Sequence, residues 1–242
     1  MTVLVRLVRY RVAVILGLTL LIASLTVSGF PSVTTLGLGL DRSATIGIIA
    51  IGMTVLLIAR QIDLSVGSTF ALAGITAIML QPVIGIWPAA LAGVLAGVAA
   101  GAFNGLLSVV FKVNALVATL ATMLIFRSVA HWLTDSQPVP GTDIMLSLAL
   151  STVHLEIFTL RSALFVGSIL LLHFWLTRTV AGRNLFAVGS NADAAEASGI
   201  APGRTVFLAF VFGGWLLWLR SGDGADWSFA HQPWMGTKLI GV

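Results

Sequence analysis

Few residues in this chain carry groups that could do chemistry, and most of those sit inside apolar runs. Asp63, Ser65 and Ser68 fall in the stretch Ile62-Asp63-Leu64-Ser65-Val66-Gly67-Ser68, three residues after Arg60. Asn104, Thr119 and Arg127 interrupt further apolar segments. Ionisable groups are costly in hydrocarbon and mark functional positions by default. These six residues are therefore candidates for lining a polar pathway through a membrane. A plainer reading stands beside it. Arg60 pairs with Asp63 at the inner interface, Arg127 partners Asp63 or a helix carbonyl, and Asn104, Asn114, Thr119 and Thr122 act as interhelical hydrogen-bonding glue. Gly67 permits a backbone break at that depth.

Other chemistries lack their residues. His131, His154, His173 and His231 have no metal-ligand spacing, and no His-Glu-x-x-His, Gly-x-Ser-x-Gly or Ser-His-Asp pattern occurs. Gly236-Thr237-Lys238 lacks the first glycine of a phosphate-binding loop. The chain is expected to bind no metal and no cofactor, to take up no ATP through such a loop, and not to be an enzyme. With no cysteine there is no disulfide, thiolate site or thiol nucleophile.

The elements that must position these residues follow from composition. Of 242 residues, 58 % are apolar and 9 % charged. A soluble domain is about a quarter charged, so this chain cannot cover a water-facing surface. The expected class is an all-α, polytopic helical membrane protein with about six or seven transmembrane helices. Candidate spans are Ala13–Gly29, Ser43–Ala59, a pair within Leu64–Phe111 divided near Pro82 and Pro88, Val113–Trp132, Ser162–Leu176 and the short Thr205–Leu219. A cleaved signal peptide is the alternative for the first. With the N-terminus in the cytoplasm, inner segments hold eight basic residues: Arg6, Arg9, Arg11, Arg60, Lys112, Arg178, Arg183 and Arg204. Outer segments then hold four: Arg42, Arg161, Arg220 and Lys238. This bias supports that orientation. The net charge of +4 is scattered, with no contiguous basic face for nucleic acid. Met145–Leu150, in the longest outer loop, reads as a short interfacial helix.

Gly93, Gly97, Gly101 and Gly105 recur every four residues, a small-residue stripe that lets another helix approach closely, here expected within the chain. The inner loop Arg178–Arg204 carries helix signals: Asn191 as N-cap, Asp193 in the first turn, an Ala-rich run, Gly199 past its end and then Pro202. A capped helix there is either a docking knob for a cytoplasmic partner or an ordered loop.

These stretches resemble a known family. Ile51-Gly52-Met53-Thr54 through Ser68, Asn104-Gly105-Leu106-Leu107 with Lys112-Val113 and Ala118-Thr119-Leu120-Ala121-Thr122, and Ala181-Gly182-Arg183 through Ser198-Gly199-Ile200 are similar to permeases of bacterial ABC sugar importers. The type is that of ribose, xylose, arabinose, rhamnose and autoinducer-2 uptake, within the branched-chain amino acid and sugar permease superfamily. The resemblance implies an inner-membrane subunit that dimerises with a second copy or a paralogue. It implies an ATPase subunit docked on the cytoplasmic side, which alone uses ATP, and a periplasmic sugar-binding protein. It implies that Gly182, Arg183, Gly189, Asn191, Ala194, Ala195, Ser198 and Gly199 form the ATPase-coupling loop. Residues 1–219 read as the permease domain, incomplete relative to the family, and 220–242 as a divergent tail, because the likeness fades after Phe212-Gly213-Gly214. A truncated, transport-incompetent fragment and a branched-chain amino-acid permease are the alternatives. An ion-driven transporter would want a buried acidic relay, for which Asp63 alone qualifies.

Overall fold

The computed structural model describes residues 11–137, 139, 153–154 and 158–218. In chain order these form α1 (Arg11–Thr26), α2 (Val33–Ile58), α3 (Val66–Ile84), α4 (Ile86–Val109), α5 (Ala115–Leu133), β1 (Val153–His154), β2 (Phe158–Thr159), α6 (Leu160–Arg178), α7 (Val180–Ser190), α8 (Ala192–Ala197) and α9 (Pro202–Trp218). The chain is an all-α membrane protein. The two strands are a departure from the helical expectation, limited to two antiparallel rungs, Val153 opposite Thr159 and His154 opposite Phe158. The interfacial helix expected at 145–150 and the tail 220–242 lie outside the described residues.

The apolar runs foreshadow the helices more closely than their ends. The second begins ten residues earlier than Ser43. Ser32 caps it by accepting from the Thr35 N–H (3.1 Å), and Asp41 and Arg42 lie within it. Asp41 is tolerated there because Thr159 Oγ1 donates to its carboxylate. The long run divides at Gly85 rather than at its prolines. Gly85 (φ +82°) ends α3 and starts α4 in one residue, a conformation closed to most side chains. Pro82 lies in the last turn of α3, and Pro88 in the first turn of α4, where its missing N–H has no intrahelical acceptor in any case.

The six or seven expected spans correspond to α1–α6 and α9. Among the described residues α3, α4 and α5 are each long and apolar enough to cross a membrane. Two bent pairs raise the total to five: the halves of α2, at 42°, and Ser162–Arg178 with α7, at 75°. Helices α1 and α9, at 16 and 17 residues, are shorter than the about 20 that span hydrocarbon.

Helix α4 is the axis of the bundle, packed on α3 and on α9. The glycine stripe makes the second contact. A Cβ at Gly97 would lie 2.5 Å from the Gly214 carbonyl oxygen, one at Gly101 would strike the Phe210 carbonyl, and one at Gly105 would lie 2.9 Å from the Phe207 ring. Partner numbers fall as α4 numbers rise, so the two helices run antiparallel with backbones in contact. The expected intrachain packing is observed, and the partner is α9 through Phe207, Phe210 and Gly214, while Gly213 faces Gly52 on α2.

Gly101→Ala is expected to lower unfolding stability in detergent by about 1–3 kcal/mol, the usual range for overpacking. Gly167→Ala on α6, where an added Cβ meets nothing within 4 Å, should leave stability unchanged or raise it by up to about 1 kcal/mol. Denaturant titration of the two purified variants against the parent chain measures both.

Candidate functional site

Between α2 and α3 the chain leaves helical geometry. Arg60 closes α2 in the left-handed region (φ +58°). Its N–H donates to the Leu57 carbonyl (3.0 Å), and that of Gln61 to the Leu56 carbonyl (2.9 Å). This is the usual glycine-type helix ending, made here with an arginine at a cost of about 1–2 kcal/mol. The exposed guanidinium puts a cation at the negative end of the helix, which offsets part of that cost.

The next five residues turn inward onto a polar cluster. Asp63 Oδ1 accepts from the Ser65 N–H (2.7 Å) and from the Ser65 hydroxyl (2.6 Å). Ser65 Oγ, its proton committed to Asp63, accepts from Asn104 Nδ2 on α4 (2.7 Å). Thr69 Oγ1 lies 3.3 Å from the same oxygen, and the Ser68 hydroxyl donates to the Ser65 carbonyl (2.8 Å). From α5, Thr119 Oγ1 accepts the Leu64 N–H (3.1 Å) while donating to its own Ala115 carbonyl (2.8 Å). Ser65, Asn104 and Thr119 are 0 % exposed and Asp63 is 7 % exposed. The linker is thus clasped to α4 by Asn104 and to α5 by Thr119.

Five of the six expected pathway residues meet in this cluster: Asp63, Ser65, Ser68, Asn104 and Thr119. Arg127 does not join them. It is exposed on α5, eight residues beyond Thr119, about 12 Å of helix rise. Arg60 is exposed, and the bonds on Asp63 Oδ1 come from Ser65 rather than from that arginine. Gly67 does not break the backbone. It lies in the first turn of α3, and the break precedes it. Asn114 is the N-cap of α5, accepting from the Leu116 N–H (2.9 Å), rather than interhelical glue. Thr122 donates to the Thr119 carbonyl of its own helix (3.2 Å).

The inner loop is built of two helices where sequence reasoning found one. Helix α7 was missed. Its signals were Thr179, whose side chain accepts from the Gly182 N–H (3.1 Å), and the spacing of Gly182, Leu185, Val188 and Gly189, all buried. Arg183, Phe186 and Ser190 point outward. A Cβ at Gly189 would collide with the Ile58 carbonyl at the end of α2, and one at Gly182 with the Leu176 carbonyl. Asn191 caps α8 by accepting from the Ala194 N–H (3.1 Å). Gly199 (φ +83°) follows the Ser198 C-cap, and Pro202 opens α9. Ala195 enters the core with Leu185 and Val188, while Ala194, Glu196 and Ser198 are exposed.

A cavity of about 740 Å³ lies beside this loop between α4, α6, α7 and α9. Trp175, Phe212 and Trp215 give it an aromatic wall, and Asn184 and Arg204 give it polar atoms. The Trp175 and Phe212 rings stack at 5.4 Å and 6°. The sequence did not reveal it, because its lining comes from four separated helices. Among the described residues, no three His, Cys, Asp or Glu side chains are placed to hold a metal.

Residues 35–220 match the family model for the permease component of the branched-chain amino acid transport system. The chain belongs to this permease family. It is 36 % identical over 179 residues to the L-arabinose transport system permease protein AraH of Escherichia coli K12, covering 74 % of this chain and 54 % of that protein. It is 34 % identical over 184 residues to the autoinducer 2 import system permease protein LsrC of Enterobacter sp. strain 638, covering 75 % and 53 %. The corresponding figures for LsrC of Salmonella paratyphi B are 31 % over 193 residues, covering 77 % and 54 %. The chain spans about half the length of the curated relatives it matches. No solved structure matches it.

In this chain the Ser65 hydroxyl joins the Asp63 linker to Asn104 on α4, and a separate bond from Leu64 to Thr119 holds it to α5. Ser65→Ala strips a donor from Asp63 and an acceptor from Asn104, and is expected to cost about 1–3 kcal/mol. Ser128→Ala, on the exposed face of α5, should stay within about 0.5 kcal/mol. Unfolding of both variants under one detergent condition gives the comparison.

Proposed function

We propose that the chain is membrane-spanning permease sequence of an ATP-driven importer for a monosaccharide or related small sugar, working by alternating access. The observation that carries this reading is the alignment, over about three quarters of the chain, with permeases named for L-arabinose and autoinducer 2 transport. The chain performs no covalent chemistry of its own and binds no cofactor. ATP is used by a separate ATPase subunit docked at the cytoplasmic face on α7 and α8, with Gly182, Arg183, Gly189, Asn191, Ala194, Ala195, Ser198 and Gly199 as the coupling loop. Supporting this are the capped, outward-facing α8 and the seating of Gly189 on the end of α2. A periplasmic sugar-binding protein delivers the solute, and a second permease, identical or paralogous, completes the pathway. The subunit resides in the bacterial inner membrane with its N-terminus inside, as its basic residues favour. The Asp63, Ser65, Ser68, Asn104 and Thr119 cluster borders the route, with Arg127 further along α5.

A second reading, import of a branched-chain amino acid, is favoured by the family model's own description. Uptake of labelled L-arabinose and labelled leucine by cells carrying the system separates the two.

The docking assignment has its own test. Asn191→Ala removes the cap of α8, worth about 1 kcal/mol, and Glu196→Lys inverts an exposed charge. Together they are expected to lower co-purification of the ATPase subunit about tenfold, equivalent to about 1.4 kcal/mol, with membrane insertion unchanged. Unaltered recovery of the ATPase removes the coupling-loop assignment.

A further inference from the structure

Two enclosed side-chain oxygens on α4 have no hydrogen-bond partner among the described residues: Asn104 Oδ1 and, one turn later, Ser108 Oγ. The orientation of the Asn104 amide is fixed by its neighbours. The Ser65 hydroxyl has one proton, and that proton goes to Asp63 at 2.6 Å. Ser65 Oγ therefore offers Asn104 only lone pairs, and the amide must turn its NH₂ towards it, at 2.7 Å. Rotating the amide by 180° would set two acceptors against each other. The carbonyl oxygen of Asn104 is thus turned away from Ser65 and lacks a donor.

Residues four apart on a helix share a face, with Cβ atoms about 5–6 Å apart. Oxygens on two such short side chains can be bridged by one molecule with a hydrogen-bonding atom at each end. Buried polar groups that the protein leaves unmet are commonly met by internal water. Asn104 Oδ1 accepts only, whereas Ser108 Oγ both donates and accepts, so the bridging molecule must donate at one end and can do either at the other. Water, which both donates and accepts, meets the requirement at both ends.

We propose that Asn104 and Ser108 hold one buried water molecule on α4, on the side of the Asn104 amide turned away from the Asp63–Ser65 pair. The site is independent of the transport reading, since it rests on the hydrogen-bond balance of the cluster alone.

The sign of one substitution tests it. If water bridges the two residues, Ser108→Ala takes away one of its partners and lowers the thermal midpoint of the purified full chain, by about 2–4 °C. If Ser108 is an unmet hydroxyl with no bound water, the same change removes a buried polar group and leaves the midpoint unchanged or raises it. Ser108→Thr keeps the hydroxyl and is expected to stay nearer the parent chain than Ser108→Ala. A second measurement does not depend on stability. In water-edited solid-state NMR of the reconstituted chain, the Asn104 carboxamide carbon should receive rapid transfer from water, and lose it in Ser108→Val, which fills the gap. An unchanged or raised midpoint in Ser108→Ala, or absent transfer at Asn104 in the parent chain, overturns the site.

Discussion

A backbone that leaves helical geometry inside a membrane protein must find partners for every exposed N–H and C=O, because hydrocarbon supplies none. The stretch from Arg60 to Ser65 is where this chain meets that constraint, and its neighbours are arranged around the solution. The N–H groups of Arg60 and Gln61 fold back onto α2. That of Leu64 goes to Thr119 on α5, and that of Ser65 to Asp63. Each partner is held in turn, Thr119 by its own helix and Asp63 by the Ser65 hydroxyl, which Asn104 also reaches. Satisfying four donors therefore draws α3, α4 and α5 together at one depth. The buried carboxylate of Asp63 is an oriented acceptor in this scheme, which is a sufficient reason for its presence in the interior.

The same helices meet a second constraint through shape. Apolar side chains gain little from leaving lipid for one another, so helix association needs close van der Waals contact. On α4 one face carries Gly97, Gly101 and Gly105, which admit the backbone of α9. Asn104 also lies on α4, between two of those glycines in sequence. One helix thus carries both the tightest backbone contact and the central hydrogen bond of the clasp. A change in its rotation would disturb both, so the two contacts lock a single arrangement.

Cost made the clasp legible in the sequence. Asp63, Ser65, Ser68, Asn104 and Thr119 stood out because polar groups are expensive in apolar runs, and that expense is also what drives them to pair. Arg127 met the same criterion and does not join them, because a long side chain can carry its charge to a surface and needs no internal partner. Positions whose meaning depends on distant chain were not legible. Asp41 sits within α2 because Thr159, more than a hundred residues on, donates to it. The glycine stripe announced a close neighbour without naming α9. Gly67 and Asn114 had signals with more than one use, and local backbone geometry, which composition does not encode, chose first-turn packing for one and a cap for the other.

A helix of six residues has no stability of its own, since nucleation outweighs so few hydrogen bonds. Helix α8 exists because Asn191 closes its first turn and Ala195 is drawn into the core beside Leu185 and Val188. Helix α7 in turn takes its position from Gly189, which rests on the Ile58 carbonyl with no room for a methyl group. Ile58 is the last residue of α2, and the clasped linker begins two residues later at Arg60. The exposed loop and the buried cluster are therefore both attached to the last turn of α2. Displacing the loop without moving that turn would open a gap at Gly189. Moving the turn would pull on the linker and strain the bond from Leu64 to Thr119. The outward-facing surface and the buried polar cluster are held in one geometry by the end of α2.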